Sequence, residues 1–258
     1  MATTVTGTSG TNELSAKAKA AGARANRRFE HLFFSGMALV ILAVVLRGFA
    51  RTYFLAGVFH APLPNLLIHI HGAVFSSWIF LLIAQTSLVS AGRVDIHRRL
   101  GIAGFLLACA MVVLGILTAT GALARGVALP GMDAKTFYAV PMLNMLLFAT
   151  LIFFAFRARF QPAAHKRIIL IATIALTPAA FTRWPSAHLN AQVAFLFTYI
   201  LLLCLVAYDL WSMRRIHRAT AWAGAFLIFV AQMSLIIGGA AAWHAFATWA
   251  QPLGRIFS

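Results

Sequence analysis

Long apolar runs separated by short, mostly basic loops make up most of the chain. Seven runs, about 31–50, 64–90, 100–123, 137–156, 166–183, 191–212 and 219–247, each approach the roughly 20 residues that cross a hydrocarbon core of ~30 Å. Backbone polar groups find no partner in lipid, so each run is expected to be helical. The pattern predicts an all-α polytopic bundle of seven transmembrane helices over residues 30–258, after a disordered or interfacial basic segment at 1–29. Pro178 is expected to kink the fifth span near its end and free a backbone carbonyl. Loops are short, the longest at 124–136, and no inverted repeat of the transporter kind is visible.

Composition agrees with the pattern. Of 258 residues, 62% are hydrophobic and 10% charged, which suits membrane spans and not a soluble domain. Charge then orients the bundle. Fifteen of the 21 lysines and arginines fall before the first span or in the loops after spans two, four and six. The other six are Arg47, Arg51, Arg125, Lys135, Arg183 and Arg255. By the positive-inside rule this predicts a cytoplasmic N-terminus and an external C-terminus in a bacterial inner membrane. The net charge of +16 reads as topology and contact with anionic phospholipid at the cytoplasmic face, with no nucleic-acid partner. Residues 1–29 lack the apolar core of a cleavable signal peptide, and a mitochondrial transit peptide is the alternative reading.

Smaller features point to packing. Cys109 and Cys204 lie mid-span without a CxxC partner and are expected as packing residues, not a disulfide. "GIAG" (101–104) and "IIGGAAAW" (236–243) suit close helix contacts. Trp184, Trp211, Trp222, Trp243 and Trp249 fall near span ends, as an aromatic belt does.

The candidate chemistry lies in nine histidines, which map to two layers. His31, His97, His165 and His217 mark the cytoplasmic starts of spans one, three, five and seven. His60, His69, His71, His188 and His244 lie toward the outer side. His69 and His71 are two residues apart, about 200° around a helix, so they point to opposite faces and cannot chelate one ion. His71 is expected to face the bundle and His69 a flank. Ionisable side chains at this depth are costly and tend to be paired or functional.

The functional reading of the outer layer is an axial ligand to a b-type haem. It takes His71 with His188 or His244, and Arg183 for the propionates. The bland reading is a neutral histidine bonded to a neighbour such as Asn190 or Tyr53. In the inner layer, His97 and His165 share an HxR context and face each other if spans three and five adjoin. They then offer a site for a second haem, a transition-metal ion or the head of a quinone, with Asp95 orienting His97. The alternative is an interfacial role beside lipid phosphate. The metal-ligand candidates are therefore His71, His97 and His165, and the cofactor-binding candidates add Arg183, His188 and His244.

The histidine early in one span, "HRRLG" opening the next and "HKR" followed by a distant arginine resemble a bacterial multi-pass membrane family of unknown function. The matching positions are His71, Gln85, His97, Arg98, Gly101, His165, Arg167 and Arg183, covering about 64–185. The two-layer histidine plan is also similar, more weakly, to cytochrome b561-type electron carriers. That resemblance implies two haems near opposite faces, although span four here has no histidine.

Motifs of hydrolases, metalloproteases, P-loop enzymes and dinucleotide binders are missing, and five acidic residues leave little for carboxylate chemistry. No Asp or Glu is assigned to a span interior, which argues against an ion pump or channel. The leading expectation is a haem- or metal-binding redox protein that exchanges electrons with quinone or a redox partner. The alternatives are a non-catalytic haem- or metal-handling assembly factor and a structural membrane protein with interfacial histidines.

Overall fold

A computed structural model describes residues 7–61, 65–184 and 190–257, with side chains from Arg28 onward. The described residues are helical and contain no strand. In chain order the helices are α1 (Gly7–Phe49), α2 (Leu66–Ser90), α3 (Val94–Ala124), α4 (Ala134–Arg157), α5 (Pro162–Ile174) and α6 (Pro178–Phe181). They are followed by α7 (Ala191–Met213), α8 (Arg218–Gly238) and α9 (Ala241–Gly254). Among the described residues, seven helical segments are long and apolar enough to cross a membrane, so the chain is a multi-pass membrane protein.

Local chemistry sets several boundaries. Side chains of Asn65, Asp133, Asn190 and His217 accept backbone N–H groups at the starts of α2, α4, α7 and α8. Pro162 opens α5, where its missing N–H costs nothing. As expected, Pro178 breaks the fifth span: α5 stops at Ile174 and α6 restarts at Pro178.

Five helices close a ring: α1 packs on α2, α2 on α3, α3 on α4, α4 on α5, and α5 returns to α1. Outside it, α8 lies on α4 and α5, while α7 packs on α6 and α8. The apolar core runs through Ile41, Met111, Phe148, Leu151, Ile171, Leu205 and Leu227, all buried.

The basic N-terminal segment is helical from Gly7 and continuous with α1. Three expectations change. The seventh span does not reach 247 but ends at Gly238, where α8 meets α4 so closely that a Cβ would lie 2.6 Å from the Thr136 carbonyl. The chain then turns into α9, which buries Ala247, Ala250 and Gly254 and leaves Trp249 exposed. Trp243 Nε1 donates to the Lys135 carbonyl at 2.8 Å, and Gly254 abuts Thr120, so α9 lies across the ends of α4 and α3. Such a helix suits the membrane interface.

The other two concern single residues. Cys109 and Cys204 are free, as expected, but exposed on the outer surface of the bundle instead of packed within it. Asp209 lies inside α7 and is fully buried, against the expectation that no acid occupies a span.

Candidate cofactor site

Helical spacing places one polar and apolar stripe from each of five helices around a common space. On α2 the stripe is Trp78, Leu81, Leu82, Gln85, Thr86 and Val89, which recur every three or four residues and so share a face. His31 and Phe34 come from α1, His97 and Gly101 from α3, Phe156 from α4, and His165 and Ile169 from α5. Together they enclose a cavity of about 480 Å³, inside the range of ordinary ligand sites. It opens at the face carrying the basic loops, where Arg98, Arg159 and Lys166 line it. Lys166 is ion-paired with Glu30, which ties α5 to α1 at this mouth. Trp78 lies deeper, its Nε1 donating to Thr173 Oγ1 at 3.2 Å.

His97 and His165 project into this space from different walls. Each is the fourth residue of its helix, so both stand about one turn inside the helix start. Their ring centroids are 6.5 Å apart and their planes nearly perpendicular, at 86°. His165 Nδ1 lies 2.8 Å from the Ala155 carbonyl, an acceptor only, so Nδ1 carries the proton and Nε2 keeps a lone pair. His97 Nδ1 is buried without a hydrogen-bond partner, and so is Gln85 Oε1. Buried polar atoms are nearly always paired with protein or water, so two orphans lining one cavity leave hydrogen-bonding capacity inside it.

The inner candidates are thus brought together. Asp95 does not orient His97; it is exposed and lies 3.8 Å from Arg93. His217 instead caps α8, its Nδ1 accepting from Ala219 N at 3.0 Å.

The outer candidates are distributed. His71 stacks on Phe75 with centroids 4.0 Å apart and lies beside the Leu114 carbonyl of α3. His69 is exposed and lies near Tyr53, so the two neighbours do face different ways. His244 belongs to α9 and pairs with Thr136 of α4 at 3.1 Å. With His71 turned to α3 and His244 to α4, each has its own partners, and no contact joins them. His188 falls outside the described residues.

Sequence reasoning missed the cavity itself and the polar network next to it. Arg167 on α5 donates from Nε and Nη2 to Asp209 Oδ1 on α7, at 2.9 and 2.7 Å. Asp209 Oδ2 accepts from Thr220 Oγ1 at 2.6 Å and from the His217 N–H at 3.0 Å. An acid at 209 inside an apolar run was the available signal.

No family model, curated protein or solved structure matches the chain.

Proposed function

We propose that this chain is a bacterial inner-membrane electron carrier that holds haem b between His97 and His165, with the basic face in the cytoplasm. The observation that carries the proposal is the spacing of the two rings. Two imidazoles bound trans to one metal, at about 2 Å per metal–nitrogen bond, have centroids roughly 6 Å apart. The 6.5 Å separation is compatible with that spacing.

The donor set favours haem over a bare ion. Structural and catalytic ions take three or four protein ligands, and no group of three or more His, Cys, Asp or Glu suited to a metal occurs among the described residues. Haem brings four nitrogens of its own, so one or two imidazoles are enough to hold it. When bound, it supplies one-electron exchange at its iron. Ala155 fixes the tautomer and orientation of His165, as a carbonyl does for many metal-bound histidines. Leu81, Phe105 and Phe156 offer an apolar wall that excludes water, and Arg98 and Arg159 at the mouth complement carboxylates. Held by both histidines, the group would supply one-electron exchange, which fits an electron carrier.

One observation favours a second reading. Gln85 Oε1, His165 Nε2 and an unpaired His97 nitrogen are all suited to accept hydrogen bonds, so a hydroquinone would also be received in this cavity.

The test is the visible spectrum and haem content of full-length protein purified from haem-replete cells. The proposal expects reduced bands of a six-coordinate b-type haem, lost in His97→Ala and His165→Ala and kept in His244→Ala. A colourless wild-type protein whose cavity protects a bound hydroquinone would support the second reading and sink the first.

A further inference from the structure

On the lipid-facing surface of the bundle, α7 and α8 carry a polar pair. Gln232 Nε2 donates to Tyr199 Oη at 2.8 Å, with Gln232 exposed and Tyr199 half-buried. Tyr199 is the ninth residue of α7, and Gln232 stands six before the end of α8. At 1.5 Å per residue both lie roughly 9–12 Å inside the helix ends that point away from the basic loops. That depth falls within a hydrocarbon core of about 30 Å.

Other hydroxyls on this surface spend their hydrogen within their own helix. Ser77 Oγ donates to the Ala73 carbonyl and Thr150 Oγ1 to the Leu146 carbonyl, both at 2.8 Å. The Tyr199–Gln232 pair does not close in that way. The Tyr199 oxygen accepts from Gln232, but its own hydrogen has no acceptor among the described residues, and Gln232 Oε1 has no donor there. One free donor and one free acceptor therefore stand side by side in a medium that offers neither. The positions around them are apolar and exposed: Leu196, Ile200 and Leu203 on α7, Phe229 and Ile236 on α8. These recur every three or four residues with Tyr199 and Gln232, so they share one face. No charged residue lies in α7 before Asp209 or in α8 after Arg218, so no charge on this face repels a partner.

We propose that this face is where two copies of the chain meet about a two-fold axis along the membrane normal, the Tyr199 hydroxyl of each donating to Oε1 of the partner's Gln232. A lone donor would call for a different partner. An adjacent donor and acceptor are complementary to themselves, because a two-fold axis sets each opposite the other. Amide and hydroxyl side chains that bond across helices are among the contacts that associate spans in lipid, where apolar surface alone gives little drive. The interface lies towards the end of the bundle opposite the histidine cavity and does not depend on haem binding there.

The test is the monomer–dimer equilibrium of the full chain in phosphatidylcholine vesicles, read by energy transfer between copies labelled at the N-terminus as the lipid-to-protein ratio is varied. Wild type is expected to pair, and Gln232→Leu to weaken pairing roughly tenfold, since both symmetric bonds are lost. Tyr199→Phe, which keeps the ring and loses the hydroxyl, should weaken it as much. The double variant should be no worse than either, because all three remove the same two bonds. Ser77→Ala, whose hydroxyl is satisfied within α2, should pair as wild type does. A wild type that stays monomeric at every ratio would leave the face to lipid and overturn the proposal. So would a dimer that Gln232→Leu and Tyr199→Phe both leave intact, which must be built on another face, or an equal loss in Ser77→Ala.

Discussion

Two polar pairs stand close together near the basic face, and both depend on the first turns of α5. Arg167 with Asp209 is complete. The carboxylate receives the guanidinium, the Thr220 hydroxyl and the His217 N–H, and Arg167 Nη1 donates to the Ala163 carbonyl at 2.8 Å. His97 with His165 is incomplete. It borders a cavity and leaves His97 Nδ1 and the neighbouring Gln85 Oε1 unpaired. The two pairs differ in how far their bonding is satisfied, although both lie near the same membrane face. A buried pair that satisfies itself holds α5, α7 and α8 together, whereas one with orphaned atoms keeps hydrogen-bonding capacity free within the cavity.

Substitutions should separate the pairs. On the proposed function, the largest effect is expected at the incomplete one: His97→Ala or His165→Ala should abolish haem content while membrane insertion and the unfolding temperature of the ligand-free protein stay near wild type, measured by spectrum and thermal scan. At the complete pair the pattern reverses. Asp209→Ala leaves the Arg167 charge buried and should destabilise the bundle by about 3–5 kcal/mol, read as loss of monodisperse protein or a lowered unfolding midpoint. Replacing both partners with apolar residues of similar volume should recover most of that loss. A double variant as poor as Asp209→Ala would show that the pair does more than bind itself.

A smaller effect is expected at the floor of the cavity. Trp78→Phe gives up the bond to Thr173 and part of the buried ring, costing about 1–2 kcal/mol in unfolding. The smallest is a pH effect at the α7–α8 turn. Burial, and then the nearby Arg167 charge, hold His217 below its ordinary 6.5, and its Nδ1 must stay unprotonated to accept from Ala219 N. The unfolded chain therefore takes up this proton first. The stability from the cap is full above about pH 6.5 and is lost as pH falls through the lower folded value. His217→Asn keeps a cap acceptor and should flatten that dependence, within a total of about 1 kcal/mol.

Much of the fold was legible because lipid demands long apolar helices and because Pro178 punctuates one of them. Less legible were the polar first turns. Hydropathy starts the third span near 100 and the fifth near 166, yet α3 starts at Val94 with Asp95 in its first turn and α5 at Pro162. Those extra turns carry His97 and His165 into the bundle instead of leaving them at its edge. The break between α8 and α9 was hidden because "IIGGAAAW" stays apolar through the turn, and only contact with α4 shows why the helix stops. The cavity needs the order of five packed helices, which no local pattern encodes. His244 was drawn to Thr136 by the turn into α9, away from the outer ends of α2 and α6.

The central claim is the proposal that His97 and His165 would together hold one haem in the cavity. Electron paramagnetic resonance of the oxidised full-length protein tests it most directly. Planes held near 86° predict a highly anisotropic low-spin ferric signal, absent from His97→Ala and His165→Ala. A high-spin signal, a low-spin signal typical of parallel imidazoles, or no ferric haem signal in protein from haem-replete cells would contradict the account.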